Sequence, residues 1–181
     1  NVAPTETTTY TVTAFSLSGN NFEDDSVIVT VNEIPVANAG EDTSICFGNI
    51  TTLTASGGVT YLWSNGQTTQ SISVNPTETT TYTVEVFENN CSSIDQAQVT
   101  VNALPETNAG NDISITEGAT TILTASGADS YAWNTGETTS SITVSPNTIT
   151  TYTVTGANSN GCELMDEVIV TIILDDITAN A

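Results

Sequence analysis

The side chains of this chain that could do chemistry are carboxylates and thiols. Its 181 residues include 21 Asp and Glu and three Cys, but no Lys, Arg or His, which gives a formal net charge of −21. Without histidine, neither a Ser-His-Asp triad nor a Cys-His pair can form, and without lysine there is no Schiff-base nucleophile. What remains is carboxylate chemistry or the binding of a metal ion by oxygen ligands.

The same composition restricts the partners. Nucleic-acid binding needs Lys and Arg to displace counterions from phosphates, and an anionic membrane surface repels an acidic chain. The sequence also has no run of about 20 apolar residues that could span a bilayer. We therefore expect no nucleic-acid partner and no direct membrane insertion.

A sequence repeat with an offset of 70 residues organises the chain. Long segments recur in the same order, and residues 4–12 match residues 76–84 residue for residue. The recurring pairs are 34–42 with 104–112, 53–57 with 123–127, Trp63 with Trp133, Pro76 with Pro146, and Tyr82 with Tyr152. Self-similarity at a fixed period is typical of an array of similar modules.

The repeat predicts four parts of an array that continues at both ends. Residues 1–33 are the C-terminal part of a first module, 34–103 a second module and 104–174 a third. Residues 175–181 restart the pattern and are the beginning of a further module.

Short alternating runs of apolar and polar residues predict strands throughout, with no helical periodicity. In the second module the predicted strands are 43–47, 51–55, 60–64, 70–74, 80–88 and 97–102. Asn65-Gly66 is a hairpin-turn signal between two of them. A module of about 70 residues with six or seven strands predicts an all-β chain of small Ig-like or PKD-like sandwiches arranged in series.

The repeated aromatic residues are candidate core anchors. Trp63 and Trp133 each fall on a central strand. Tyr82 and Tyr152 follow a proline and a run of threonines before a long strand, as in a tyrosine corner, where the hydroxyl bonds back to the backbone. We expect all four rings to be buried.

The cysteines predict one disulfide and one free thiol. Cys46 lies in the first strand of the second module and Cys91 in its last hairpin, so we expect these two to pair. Cys162 keeps the second position in the third module, but Thr116 replaces the first, so Cys162 is left as a buried thiol or a link to another chain. Asn20 stands at the Cys91 position of the first module. An optional disulfide favours an oxidising compartment outside the cytoplasm.

The carboxylates at the module junctions allow two interpretations. Asp42 and Asp112 follow the linkers in an Asn-Ala-Gly-x-Asp segment, where they could accept backbone N–H groups of a turn. Alternatively, junction carboxylates bind Ca²⁺, which takes 6–8 oxygen ligands. The candidate ligands are Asp42, Asp112, Glu33, Asp95 and Asp166. The repeat predicts that Asp24 shares the position of the last two, and Asp175 and Asp176 lie at the last junction.

The ordered motifs in 38–48, 52–84 and 91–95, which recur in the third module, resemble the PKD-like or Ig-like repeats of giant Bacteroidetes cell-surface proteins. Such repeats occur in gliding-motility adhesins exported by type IX secretion and as spacers of secreted enzymes. The missing cysteines at positions 20 and 116, and the absence of Lys and Arg, depart from that pattern. The resemblance also suggests O-glycosylation at Ser26, within Asp25-Ser26-Val27.

Composition and resemblance together predict a non-catalytic structural repeat of an extracellular adhesin, stalk or filament at the cell surface, spacing or displaying a binding tip. No pair of acids is distinguished as catalytic. The expected partners are neighbouring modules of the same chain, with lateral copies in a filament and surface glycans as further candidates. The alternative is a carbohydrate-binding or accessory module of a secreted enzyme, for which Phe15, Phe47 and Phe87 are candidate aromatic contacts.

Overall fold

The computed structural model describes residues 1–17 and 22–174. Every regular element in these ranges is a β-strand, and no helix there is long and apolar enough to cross a membrane. Asn20 and the predicted start of a further module at 175–181 lie outside the described residues. The strands are β1 (Thr8–Phe15), β2 (Phe22–Val29), β3 (Thr43–Cys46), β4 (Thr51–Thr54), β5 (Thr60–Trp63), β6 (Ser71–Val74), β7 (Thr80–Glu88), β8 (Cys91–Asn102), β9 (Ile113–Thr116), β10 (Thr121–Thr124), β11 (Ser130–Trp133), β12 (Ser141–Val144), β13 (Thr150–Ala157) and β14 (Glu163–Ile173).

The same strand order occurs twice. Four strands form a sheet in the order β3-β8-β7-β5, beside a two-stranded sheet of β4 and β6. The order β9-β14-β13-β11, with the pair β10 and β12, repeats this arrangement. β1 and β2 form an antiparallel hairpin like β7 with β8 and β13 with β14. The prediction of an all-β sandwich fold is confirmed.

The chain divides into two compact units. The first comprises Asn1–Thr43, Ile50–Val74 and Thr80–Val99, and the second comprises Ser44–Asn49, Asn75–Thr79 and the described residues from Thr100 onward. The predicted boundary at 33/34 therefore lies inside the first unit and that at 103/104 inside the second. Each unit contains one junction of the repeat, and the module boundaries themselves stay a prediction.

The sheets form because apolar residues alternate along their long strands. In β7, Tyr82, Val84 and Val86 are buried while the residues between them are partly exposed. Successive side chains of a strand point to opposite faces of the sheet, so this alternation gives one face to the core. Asn89 and Asn90 both have positive φ, as a two-residue hairpin with a primed turn requires, and so they join β7 directly to β8.

The two tryptophans lie in the interior. Trp63 is 1% exposed and its Nε1 donates to the carbonyl oxygen of Thr69 at 3.0 Å. Trp133 is 4% exposed and its Nε1 donates to the carbonyl oxygen of Thr139, also at 3.0 Å. Each ring therefore fills the core and also holds the loop that follows its strand.

Tyr82 and Tyr152 are buried as predicted but, among the described residues, do not form the hydrogen bond of a tyrosine corner. The rings of Tyr82 and Tyr152 are buried, but in residues 1–17 and 22–174 neither hydroxyl forms a hydrogen bond to the backbone. That bond is formed instead by Tyr61, whose hydroxyl donates to the carbonyl oxygen of Gly58 at 2.9 Å, and in the same way by Tyr131. Tyr61 lies just after the turn that contains Gly58, and its side chain folds back over that turn to reach the carbonyl oxygen.

The third repeat redistributes side-chain volume in its core. In the second repeat, a Cβ added to Gly58 would lie 2.3 Å from Val86 Cγ1. In the third, Gly156 replaces that valine, and a Cβ there would lie 2.2 Å from Thr107 Oγ1 and 2.7 Å from Ala128 Cβ. Volume removed from the strand is thus replaced from the two neighbouring segments. The exchange leaves Thr107 Oγ1 buried with no hydrogen-bond partner in the described part of the chain.

Replacing Thr107 by Val is expected to raise the free energy of unfolding by about 1 kcal/mol, because a buried hydroxyl without a partner is exchanged for a methyl group of similar shape. Urea unfolding followed by tryptophan fluorescence measures this. Thr143→Val, at an exposed position of β12, is the matched control and should change stability little. Equal stability changes in the two variants would contradict the assignment of an unsatisfied hydroxyl at Thr107.

Candidate functional site

In the first unit, two aspartates join the segment before β3 to strand β8. The backbone N–H of Ala39 donates to Asp95 Oδ2 at 2.8 Å, and the N–H of Gln98 donates to Asp42 Oδ1 at 2.7 Å. The two bonds run in opposite directions between the same two segments. Asp42 therefore accepts a backbone N–H group, as one interpretation of the sequence expected, but from a strand and not from its own turn.

The same pair of bonds occurs in the second unit. Asp166 Oδ2 accepts from the N–H of Ala109 at 2.7 Å, and Asp112 Oδ1 accepts from the N–H of Ile169 at 2.8 Å. Hydrogen bonds to a charged acceptor are stronger than those between neutral groups. We call each reciprocal pair, Asp42 with Asp95 and Asp112 with Asp166, a carboxylate clamp.

The strand register corrects which aspartate of the first hairpin is equivalent to Asp95. Asp95 lies opposite Val84 in the β7–β8 ladder. The matching residue of β1 is Val12, and it lies opposite Asp25, whereas Asp24 lies opposite Thr13. The assignment of Asp24 was wrong by one residue, because two adjacent aspartates align equally well when the intervening turn varies in length.

The geometry does not support the calcium prediction. In the described ranges, no three His, Cys, Asp or Glu side chains come together in a way that could hold a metal ion. The clamp aspartates direct an oxygen at a backbone N–H group of their own unit, and Glu33 is exposed on a linker. The five predicted ligands, Asp42, Asp112, Glu33, Asp95 and Asp166, therefore do not form one site.

The disulfide differs from the predicted pairing. Cys46 is bonded to Cys162, with 5.5 Å between their Cα atoms, and Cys91 carries the free thiol. The prediction of a Cys46–Cys91 bond and a free Cys162 was wrong because Cys46 lies beside the far end of β8. The N–H of the next residue, Phe47, donates to the carbonyl oxygen of Asn102. Cys91 begins that strand, which at about 3.3 Å per residue puts it roughly 35 Å from Asn102, and cysteines pair only when their Cα atoms lie within about 7 Å.

The tips of the β7–β8 and β13–β14 hairpins are also hydrogen-bonded to the end of the preceding repeat. In the first unit, Asn32 Nδ2 donates to the carbonyl oxygen of Asn89 at 2.8 Å. In the second unit, Asn158 Nδ2 donates to the carbonyl oxygen of Ala103 at 2.8 Å. Sequence reasoning missed both asparagines, although their position beside the predicted boundaries and hairpin turns was a usable signal.

The hairpin of β1 and β2 carries an exposed aromatic pair. Phe15 and Phe22 are 72% and 67% exposed, with ring centroids 6.5 Å apart and ring planes at 49°. They flank a cavity of about 260 Å³ that Glu23 also lines. Phe15 was among the predicted aromatic candidates. Phe22 was missed because only the strand register shows that it lies opposite Phe15.

Ser26 lies on the same hairpin, in β2. It is exposed, and its N–H donates to Asp25 Oδ1 at 2.9 Å. Its hydroxyl is therefore accessible on the strand surface, and its glycosylation stays a prediction.

Comparison with solved structures finds an Ig-like fold. The I-band fragment from titin is 14% identical to this chain, with a TM-score of 0.51 over 95% of this chain and 76% of that one. An E-to-A mutated variant of the three-Ig titin structure gives the same values. At this identity the likeness shows the fold alone. No protein-family model matches the sequence, and no curated protein matches it.

Proposed function

We propose that this chain is a non-catalytic spacer built from serial Ig-like modules, part of an extracellular adhesin, stalk or filament. Its resemblance to the PKD-like repeats of Bacteroidetes surface proteins favours a gliding-motility type of adhesin exported by type IX secretion. Neighbouring modules of the same chain are then its first partners.

The observation that carries this proposal is that the repeated aspartates form hydrogen bonds that stabilise the fold. The four clamp aspartates each accept a backbone N–H group between 2.7 and 2.8 Å. A catalytic pair of acids needs two carboxyl groups facing one substrate with different proton affinities. Carboxylates engaged in this way serve the structure of each unit, and the same use appears in both repeats.

The disulfide supports both the location and the mechanical role. Cys46 belongs to the predicted second module and Cys162 to the third, so the bond crosses the predicted boundary at 103/104. Disulfides persist in oxidising compartments, which supports an extracellular site. A covalent bond across a junction also prevents the two repeats from separating when the chain is pulled.

The uniform negative charge suits the same role. With 21 acids and no cation, close copies of this chain repel one another within a Debye length of about 10 Å at moderate salt. Lateral packing of copies in a filament would therefore need screening cations or a basic partner.

Single-molecule stretching of the full chain from its two termini tests the spacer. The cysteines are 116 residues apart, so at a maximum of about 3.5 Å per residue the closed loop withholds roughly 400 Å of extension. We expect the oxidised chain to release that much less length than the chain in reductant. Cys91→Ser keeps the disulfide and should behave as the unmodified chain. Equal extension of oxidised and reduced chains would contradict the mechanical role proposed for the Cys46–Cys162 bond.

A second candidate function, carbohydrate binding, is favoured by the exposed pair Phe15 and Phe22. Sugars stack on exposed aromatic rings, and this pair presents two of them beside a carboxylate, Glu23. A glycan array probed with the full chain and with Phe15→Ala/Phe22→Ala tests it. Binding that is lost in the double variant would establish the accessory-module function, and the same weak signal from both proteins would remove it.

A further inference from the structure

Cys91 and Cys162 occupy equivalent places in their hairpins. Cys91 pairs with Glu88 in the β7–β8 ladder, at the tip of the hairpin. Cys162 holds the same place in the third repeat, where the N–H of Asn158 donates to its carbonyl oxygen at 3.0 Å. The longer turn of the third repeat shifts the sequence numbering by one residue but leaves the position unchanged. One of the two equivalent thiols is oxidised and the other is free.

The surroundings of Cys91 match those of the bonded cysteine. In the second unit, Cys162 bonds to Cys46, whose neighbour Phe47 donates its N–H to Asn102 at the end of β8. Asn32 is the residue that precedes Asn102 by one repeat. In the first unit, the carbonyl oxygen of Asn32 lies 3.9 Å from Cys91 Sγ. In the second unit, the segment that carries Cys46 pairs with the strand end at Asn102. The equivalent strand end, at Asn32, lies beside Cys91 in the first unit.

Space for that strand is also present. A cavity of about 510 Å³ in the first unit is lined by Val31, Asn32, Glu33, Glu88 and Asn89, among others. Two of these, Asn32 and Asn89, are joined by the hydrogen bond that fixes the hairpin tip. Asn32, whose carbonyl oxygen lies 3.9 Å from Cys91 Sγ, is the counterpart of Asn102, whose carbonyl oxygen accepts from Phe47 in the second unit.

We propose that Cys91 is the acceptor of a disulfide from a cysteine at the end of the first strand of the repeat that includes residues 1–33. This inference rests on the proposed serial array. The pairing rule is that the first-strand cysteine of one repeat bonds to the hairpin cysteine of the next. Cys46 and Cys162 follow this rule. Thr116 occupies the first-strand position of the third repeat, so that repeat has no cysteine to bond to a following hairpin.

The bond forms by oxidation of two thiols. Each thiol loses a proton, the two sulfurs join, and the two electrons reduce oxidised glutathione to two molecules of glutathione, or reduce an equivalent disulfide oxidant outside the cell. No other atom of the protein changes.

The chain itself supplies the strand for a test. Residues 34–75 fused directly to the N-terminal side of Pro4 complete the first repeat with a cysteine at the Cys46 position, because residues 4–12 match 76–84. Residues 104–145 fused at the same point complete it with threonine at that position, which is the matched control. After oxidation with glutathione, we expect the number of thiols titrated by Ellman's reagent in denaturant to be zero per chain for the first extension and one for the control. The added segment carries Ile50→Val as a mass marker, because Glu-specific cleavage otherwise gives the same peptide from both copies and Ile50 is 69% exposed. Peptide mapping should then identify Cys91 bonded to the added cysteine and not to Cys46.

The outcomes separate this inference from the spacer proposal. If both extensions fold, judged by circular dichroism and a raised melting temperature, and two thiols remain in the first, the pairing rule is wrong while the array stands. A bond between Cys91 and Cys46 would overturn the rule as well. If neither extension folds, the serial array is wrong for residues 1–33.

A measurement on the unextended chain decides the pairing in that last case. A peptide of residues 42–49, with its cysteine activated as a mixed disulfide with thionitrobenzoate, is attacked by the Cys91 thiolate and releases the coloured thiol. We expect it to react at least tenfold faster than a scrambled peptide of the same composition, because strand pairing beside Asn32 raises its local concentration. Equal rates would overturn the proposal.

Discussion

Replacing both Cys46 and Cys162 by Ala is expected to lower the free energy of unfolding of the oxidised chain by roughly 4–5 kcal/mol. The bond closes a loop between residues 116 apart, and cross-linking so long a loop removes a large conformational entropy from the unfolded chain. The total stability of most domains is only about 5–15 kcal/mol, so the loss should be large. Urea unfolding followed by tryptophan fluorescence measures it.

The control for this experiment is Cys91→Ala. Cys91 is the free thiol, so its replacement should change the free energy of unfolding by about 1 kcal/mol or less, the range of an ordinary point substitution. The comparison also tests the two pairings directly. If Cys91→Ala were as destabilising as the double variant, Cys46 would be bonded to Cys91 and the structural assignment would be wrong.

The wrong prediction of a Cys46–Cys91 disulfide shows what the sequence pattern does not reveal. It correctly identified the first strand and the last hairpin of a module as the elements that carry cysteine. Within one sandwich, however, these elements meet along a strand of twelve residues, and the cysteines fall at its opposite ends. Pairing depends on which end of a strand each residue occupies, and the repeat alone does not reveal that the tip of one hairpin lies against the end of the preceding repeat.

The core was predictable because its signal is local. Alternation of apolar residues identified β4 to β7, and the repeated Trp63 and Tyr82 mark buried positions. Asp42 was assigned two competing roles, and the structure gives it a backbone N–H partner that lies 56 residues away. A partner at that distance is fixed by the register between the 38–42 segment and β8, which no short motif encodes.

The exchange between Val86 and Gly156 was likewise invisible from either repeat alone. A glycine in a strand ordinarily weakens it or marks a close approach of another group. Here it makes room for Thr107 and Ala128. Only the comparison of the two cores in three dimensions shows that these substitutions compensate one another.

Replacing Trp63 by Ala is expected to lower the free energy of unfolding by about 3–5 kcal/mol. The ring is 1% exposed, so the substitution leaves a cavity that the neighbouring side chains of this small core fill only in part. It also removes the donor to the carbonyl oxygen of Thr69 and so frees the loop that follows the strand. Because the variant loses one of two tryptophans, unfolding in urea is best followed by far-ultraviolet circular dichroism.

Leu62 provides the matched control, since it is the preceding residue of the same strand and faces the other side of the sheet. It is 44% exposed, and Leu62→Ala should cost about 0.5 kcal/mol or slightly more. Trp133→Ala should behave like Trp63→Ala, because its ring is also buried and donates to the equivalent carbonyl. If Trp63→Ala were no more destabilising than Leu62→Ala, the ring would not be a core anchor, and each sandwich would owe its stability mainly to the strand ladders and the carboxylate clamps.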